Sequence, residues 1–285
     1  MAAPGQEQFN RVCIVQMGTV QVQGLRTQFK VVKNNDEAPN TAEISVWNLA
    51  ETTRQAILTF ANSVGNVPVI LQAGYGTPLA AQVLFAGDIL PYGLSITRNG
   101  PDWLMTFKAG DGLSSYRSDR ISLKAPPGMS ASALIQQIMG QFKGIDTKDA
   151  MAKIGGMLTG GVQQFTKGTV VTGGAMQELN RLLKSYKVRA TCQDGKLDVA
   201  PIDSYVAGAS APSLSSATGL LGSPTPGKDR FVKFKCWLRP EIKVWRQVFV
   251  TAGSPPKTTI LTAHKVEHTG DTRGPPWYTE VEGKA

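Results

Sequence analysis

Short stretches in which apolar and polar residues alternate, separated by turn-forming residues, most constrain the fold of this 285-residue chain. A period of two is typical of a β-strand with one buried face, because successive side chains point to opposite sides. The pattern is clearest at residues 26–32 and 231–238. Further strands are predicted at residues 12–16, 19–23, 41–49, 68–73, 82–90, 94–98, 103–108, 246–252, 258–266 and 277–282.

Helical periodicity occurs once among the early strands and again in the middle of the chain. The first helix is expected to start at Thr52 or Thr53 and to stop at Gly65. Residues 133–139, preceded by Ser130 and Ser132, and residues 175–186 predict two amphipathic helices. Asp194-Gly195 predicts a tight hairpin after them.

Glycine and small polar residues mark the predicted breaks. Gly155-Gly156 and Gly160-Gly161 predict a mobile loop between helices, and residues 204–218 predict a linker. The predicted fold class is therefore mainly β with a small α/β module. Its segments are a first β domain at 1–112, a middle module at 113–203, the linker, and a second β domain at 219–285.

Composition limits the classes of protein that this chain can belong to. Charged residues make up 18%, below the globular average of about 25%, which suggests surfaces that become buried in an assembly. No apolar stretch approaches the roughly 20 residues of a membrane helix, and the first ten residues lack the pattern of a signal peptide. Cys13, Cys192 and Cys236 lie far apart, which predicts reduced, buried thiols in a cytosolic product.

The net charge of +9 is concentrated after residue 112. Lys233 and Lys235 share one face of a predicted strand, and Arg26 and Lys30 share one face of another. Lys233 and Lys235, with Arg239, Lys243 and Arg246 after them, are candidates for a surface that faces DNA or an acidic partner. The alternative interpretation is the solvated side of a β-strand.

One string of residues suggests chemistry. His264, Glu267 and His268 match the H-x-x-E-H pattern of zinc peptidases, which require that string on a helix so that both imidazoles face one metal. Here it ends a β-type run, so histidines with structural hydrogen bonds are expected instead. The glycine-rich residues 168–174 lack the Gly-Lys-Ser/Thr ending of a phosphate-binding loop. No catalytic residue, metal or cofactor is predicted.

Several segments, in order, resemble the baseplate hub family of tailed phages, which is related to the hub part of type VI secretion spikes. They cover almost the whole chain, and the ordered set is more specific than any one string. The segments are residues 39–49 (PNTAEISVWNL) with Thr53-Arg54, 128–135 (GMSASALI), 194–199 (DGKLDV), 219–224 (GLLGSP), 235–240 (KCWLRP), 265–271 (KVEHTGD) and 277–279 (WYT).

The resemblance implies two tube-like β-barrel or sandwich domains flanking the α/β module. It further implies a homotrimeric ring, located in the virion tail baseplate after synthesis in the host cytoplasm. Such a ring adapts a six-fold tail tube to a trimeric spike, and the tape measure protein and DNA pass through it. The implied partners are the tail tube or distal tail protein, the central spike and baseplate wedge proteins.

Within that picture, Arg26, Lys30, Lys233 and Lys235 would be lumen-facing or partner-facing. Any DNA contact would be transient and non-specific. Because few residues follow Trp277, cell-wall cleavage is expected to belong to a separate protein. The alternatives are a zinc-dependent peptidase using His264, Glu267 and His268, and a basic DNA-binding protein with salt-sensitive binding.

Overall fold

The computed structural model describes residues 10–35, 38–63, 67–158, 164–202 and 211–285. Their contacts form two compact units. The sheet unit combines the described residues of Met1–Asn35, Asn40–Gly110 and Ala207–Ala285. The helical unit contains the described residues of Asp36–Pro39 and Asp111–Val206.

The strands and helices that the sequence pattern predicts occur in the predicted order, and α2, β8, α4, β9 and β12 are additional. The sheet unit contains strands β1 to β7 and helix α1, followed much later by β12 to β17. The elements are β1 Arg11–Met17, β2 Val20–Gln23, β3 Thr27–Asn34, β4 Thr41–Trp47, α1 Glu51–Ser63, β5 Pro68–Tyr75, β6 Gln82–Asn99, β7 Asp102–Gly110, α2 Leu113–Ser118, β8 Arg120–Ala125, α3 Ala131–Met139, α4 Lys148–Met157, β9 Thr169–Gly174, α5 Ala175–Lys184, β10 Val188–Gln193, β11 Lys196–Pro201, β12 Ser213–Leu214, β13 Leu220–Pro226, β14 Phe231–Trp237, β15 Gln247–Ala252, β16 Lys257–Asp271 and β17 Trp277–Lys284.

One large sheet joins the first and last parts of the chain. Its strands lie in the order β13-β14-β17-β16-β3-β4-β7-β6-β5-β1-β2, and each neighbouring pair is antiparallel. Strand β16 is 15 residues long, which lets its first part pair with β15 and its second part with both β17 and β3. The β3–β16 pairing, with His268 opposite Val31, therefore connects strands that are far apart in sequence.

The prediction of a mainly β fold is confirmed. The prediction of closed, tube-like β-barrels is wrong for the described residues. Among the described residues, strand pairing runs from an edge at β13 to an edge at β2 and closes no barrel. The physical reason is that β3 uses its second edge for β16, so β1 to β7 do not close on themselves.

An aromatic cluster fills the core of the sheet unit, where strands from the first and last parts of the chain pack together. Trp277 is fully buried, and its ring lies edge-on to Phe29 at 5.4 Å and to Tyr75 at 6.4 Å between ring centroids. Gly270 leaves room for these rings, since an added Cβ would lie 2.3 Å from Phe29 and 2.9 Å from Trp277. Residues from β3, β5, β16 and β17 thus share one core.

The helical unit confirms the predicted helices and hairpin. The Ser130 side chain accepts a hydrogen bond from the Ala133 amide and caps α3. Asp194 and Gly195 have φ of 56° and 77° and join β10 to β11 in a tight turn. The buried Asp111 carboxylate accepts hydrogen bonds from both turn amides, which fixes the hairpin within this unit.

The predicted glycine loop is partly wrong. Gly155 and Gly156 lie in α4, which begins at Lys148 and ends at Met157. The helix forms because Ala150 and Ile154 are buried one turn apart and outweigh the low helix propensity of glycine. Gly160 and Gly161 lie outside the described residues, as do Gly65 and residues 204–210 of the predicted linker.

The prediction of buried, unpaired cysteines is confirmed. All three cysteines are free and buried. Burial raises the pKa of the Cys13 and Cys236 thiols to about 12 and that of Cys192 further still, which keeps them protonated. In the described parts of the chain, no helix is both long and apolar enough to cross a membrane.

Candidate functional surface

A band of lysines and glutamates crosses the solvent face of the large sheet, opposite the core. It runs over six neighbouring strands, β14, β17, β16, β3, β4 and β7. Period-two alternation produces it, because the intervening residues of each strand point into the core. This band, the charge ladder, consists of Lys30, Glu43, Lys108, Lys233, Lys235, Lys265, Glu267, Glu280 and Glu282.

Each lysine named from the sequence as a candidate has a glutamate partner on the next strand. The Lys235 ammonium lies 3.1 Å from the Glu280 carboxylate, and the Lys233 ammonium lies 3.2 Å from that of Glu282. Both pairs are directly opposite in the β14–β17 register. The side chains of these lysines are 38–58% exposed. Exposed pairs of this kind are worth only about 0.2–1 kcal/mol each, so their main effect is on the surface potential.

Lys30 offsets the repulsion between two glutamates in the centre of the ladder. Glu267 and Glu280 stand directly opposite each other, and like charges in that position repel. The Lys30 ammonium lies 2.7 Å from the Glu267 carboxylate, and the hydrogen bond between them raises the pKa of Lys30. Lys30 and Lys235 thus flank the two glutamates, one from each side.

The ladder continues to its far edge with weaker pairing. Glu43 stands opposite Lys30 on one side and Lys108 on the other. The Lys108 ammonium is 4.0 Å from the Glu43 carboxylate, and both side chains are more than half exposed. From Glu267 on β16, the sign of the charge therefore alternates through Lys30 and Glu43 to Lys108 on β7.

A groove lies along the other end of the ladder. Strand β13 shifts register between Leu221 and Thr225, and the space beside it has a volume of about 340 Å³. Three lysines and three glutamates of the ladder line this groove, together with Ser223 and Thr225 of β13. The charges of its lining therefore balance, and the apolar residues Leu221, Phe234 and Val281 line it as well.

Arg26 lies at the end of the same face, beyond the ladder. Its guanidinium stacks on the Trp47 ring at 4.6 Å and donates a hydrogen bond of 2.9 Å to the Asp271 carboxylate. Gln28 donates to the same carboxylate at 2.7 Å. Arg26 is thus the fourth candidate cation with an acidic partner, and it lies directly before β3, whereas the three lysines lie on strands of the sheet.

The acidic half of this surface was missed from the sequence. The alternation within one strand singles out Lys233 and Lys235, whereas their partners lie on β17, almost 50 residues later in the sequence. The available signal was a second alternating run, Glu280 and Glu282, at the C-terminal end. Only the strand order shows that the two runs are neighbours.

The zinc-peptidase interpretation is not supported by the geometry. The H-x-x-E-H string lies in β16, where His268 points into the core and Glu267 into the ladder. The His268 Nδ1 atom is 2.9 Å from the Thr279 hydroxyl, and the His264 Nδ1 atom is 2.7 Å from the Asn35 amide nitrogen. Within the described ranges, no group of three or more His, Cys, Asp or Glu residues is placed to hold a metal ion.

The sequence matches one family profile over most of its length. The matching profile describes the baseplate hub gp41, and the match covers residues 11–257. No curated protein matches the chain.

Solved structures of tail proteins share the fold at low sequence identity. The 43 kDa tail protein of prophage MuSo2 from Shewanella oneidensis has a TM-score of 0.57 and 10% identity, with 96% of each chain covered. A tail protein from Neisseria meningitidis MC58 has a TM-score of 0.59 and 9% identity, with 97% of each chain covered.

A protein of a type VI secretion system also shares the fold. The E. coli c3393 protein is described as a type VI secretion component that resembles the T4 tail proteins gp27 and gp5. Its TM-score is 0.62 at 8% identity, over 95% of this chain and 76% of the other.

Proposed function

This chain belongs to the baseplate hub gp41 family, and we propose that three copies of it form the hub ring of a phage tail baseplate. In this role the protein is structural. The ring adapts a six-fold tail tube to a trimeric central spike, and it leaves a channel for the tape measure protein and DNA. Family membership and the shared fold of the tail proteins support a location in the virion tail.

The observation that carries the proposal is the antiparallel pairing of β3 with β16. It sets two groups of strands side by side in one continuous sheet, β1 to β7 and β13 to β17. Three chains would therefore supply six strand groups. That number matches a six-fold tube above and a three-fold spike below.

The expected partners follow from this position. A tail tube or distal tail protein would contact one side of the ring, and the central spike the other, with baseplate wedge proteins around it. Sheet edges at β2 and β13 offer unpaired backbone groups for such contacts. Arg26, Lys30, Lys233 and Lys235 would face the lumen or a partner, together with their acidic neighbours.

Copy number in assembled tails tests the proposal. Quantitative mass spectrometry of purified tails should find three copies of this chain for every three copies of the spike protein. Gold-labelled antibody against the chain should mark the end of the tube at the baseplate. Six copies per tail, or labelling along the length of the tube, would contradict a hub and indicate a tube subunit.

A further inference from the structure

We propose that the charge ladder is an anti-adhesion surface, whose glutamates prevent its lysines from holding a passing polyanion, double-stranded DNA. The inference rests on the proposed hub function, because only a channel would bring DNA past this face. It assigns a role to Glu267, Glu280 and Glu282.

The composition of the ladder indicates that this face stays in water when the protein assembles. Cores of protein interfaces are depleted in lysine and glutamate, because burying ion pairs removes their hydration. The ladder presents nine such residues in adjacent positions on six strands. Its groove is also lined by charges of both signs. A water-filled space is therefore a better match for this face than a subunit contact.

Lysines alone on this face would bind DNA. Five lysines within one band could reach several phosphates at once, and each contacted phosphate contributes affinity through counterion release. Their side chains are long, and those of Lys30, Lys108 and Lys233 are 57–60% exposed. A channel with such a lining would slow the DNA that passes through it.

The four glutamates remove most of that attraction. Neighbouring strands are about 4.8 Å apart, which is less than the screening length of about 10 Å at 0.1 M salt. A phosphate approaching the face therefore experiences the summed charge of five lysines and four glutamates rather than any single lysine. The lysines in turn prevent a purely acidic face, which would repel DNA. A nearly neutral, hydrated surface should neither bind nor repel a polyanion.

Neutralising the glutamates should increase the affinity of this face for DNA. The variant E267Q/E280Q/E282Q keeps the shape of each side chain and leaves Lys30, Lys233 and Lys235 without their partners. Binding of the full-length protein to a fluorescein-labelled 30-base-pair duplex would be measured by fluorescence anisotropy between 50 and 200 mM KCl. Wild-type protein should bind weakly, with a shallow dependence on salt.

The variant should bind with a steeper salt dependence. Three new phosphate contacts add about −2.7 to the slope of log affinity against log salt. Over this fourfold range of salt, the affinity of the variant should fall roughly 40-fold more than that of wild type. The double variant E280Q/E282Q, changed only in β17, should show an intermediate slope, and it keeps the test usable if the triple variant folds poorly.

A control with the same net charge separates the ladder from general electrostatics. The variant E51Q/D149N/D198N also removes three negative charges, but from α1, α4 and β11, outside the ladder. It should bind DNA like wild type. Equal gains in the control and the ladder variant would overturn the proposal, as would tight, steeply salt-dependent binding by wild type.

The proposed hub function is tested by a separate measurement on the same samples. Light scattering on each variant reports whether rings of three form. Rings without a ladder-specific gain in DNA binding would overturn the anti-adhesion role and leave the hub intact. A ladder-specific gain in a protein that never forms rings, even with its neighbouring tail proteins, would overturn the hub and with it the reason for DNA to meet this face.

Discussion

Asp271 joins the start of β3 to the turn after β16 through one carboxylate. Its side chain is 2% exposed, and it accepts hydrogen bonds from Arg26 and Gln28 and from the Arg273 amide. Burial by itself would raise the pKa of this carboxyl, but the hydrogen bonds outweigh it and hold the pKa below its usual range. The ionised form is therefore the one that stabilises the fold.

The lowered pKa of Asp271 predicts acid sensitivity. A group with a depressed folded-state pKa contributes stability above its unfolded pKa of about 3.9 and loses it as the pH falls through the folded value. D271N should therefore lower the free energy of unfolding by about 2 kcal/mol at pH 7. The gap to wild type should shrink steadily below about pH 4 in urea titrations. A gap that stays constant with pH would contradict this role.

Glycine should have different effects at two residues with left-handed backbone. Tyr92 has φ of 60° and a fully exposed side chain, whereas Asn48 has φ of 55° and an engaged side-chain amide. That amide donates to Asp102 and accepts from the Trp103 backbone. Y92G should stabilise the protein by about 1 kcal/mol through relief of backbone strain. N48G should not stabilise it, because lost hydrogen bonds offset the same relief.

Thermal unfolding of the two variants measures the difference. Y92G should raise Tm, while N48G should leave it unchanged or lower it. A decrease in Tm for Y92G would mean that the tyrosine makes stabilising contacts in the isolated chain.

At the scale of elements, helix α4 is a case in which the local sequence predicts the wrong structure. Glycine pairs in sequence predict a loop, yet Gly155 and Gly156 occupy the last turns of a helix. Their Cβ positions are open, with nothing within 4 Å. The helix forms because its apolar side chains are buried, and a propensity scale does not contain that information.

Alanine at these positions tests the helix directly. G155A/G156A should stabilise the protein by about 1–2 kcal/mol in urea unfolding, since each change favours the helix and meets no neighbour. The control G195A, at a positive φ in the β10–β11 turn, should destabilise it by about 1 kcal/mol. No gain from the double variant would indicate that these residues are not helical in solution.

Elements that depend on local pattern were predictable, and their pairing was not. Alternation predicted β3, β14 and most of β16, and Asp194-Gly195 predicted the β10–β11 hairpin. The ladder required knowledge of which strands are neighbours, because Lys30 and Glu267 are more than 230 residues apart. Strand-to-strand register over that distance has no local signature.

At the scale of the whole molecule, the first and last parts of the chain share one sheet and one core. Trp277 packs on Phe29 and Tyr75, and β16 covers the edge of β3. The predicted boundaries at residues 112 and 219 describe the sequence segments, and their independence as domains remains a prediction that truncation can test.

A chain that ends after residue 202 lacks β12 to β17. It should expose the β3 edge and the aromatic core, and so aggregate or lose its cooperative unfolding transition. Solubility and urea unfolding followed by circular dichroism would show this. A soluble truncated chain with a cooperative transition and its β signal intact would mean that the first part folds as a separate domain.

The assembled mass of the purified protein tests the hub assignment most directly. Light scattering behind a sizing column would be run on the chain alone and with its neighbouring tail proteins. Three chains of 30.5 kDa should give a particle of about 92 kDa, or three copies within a larger complex. A stable monomer that does not bind the tail proteins would contradict the hub ring.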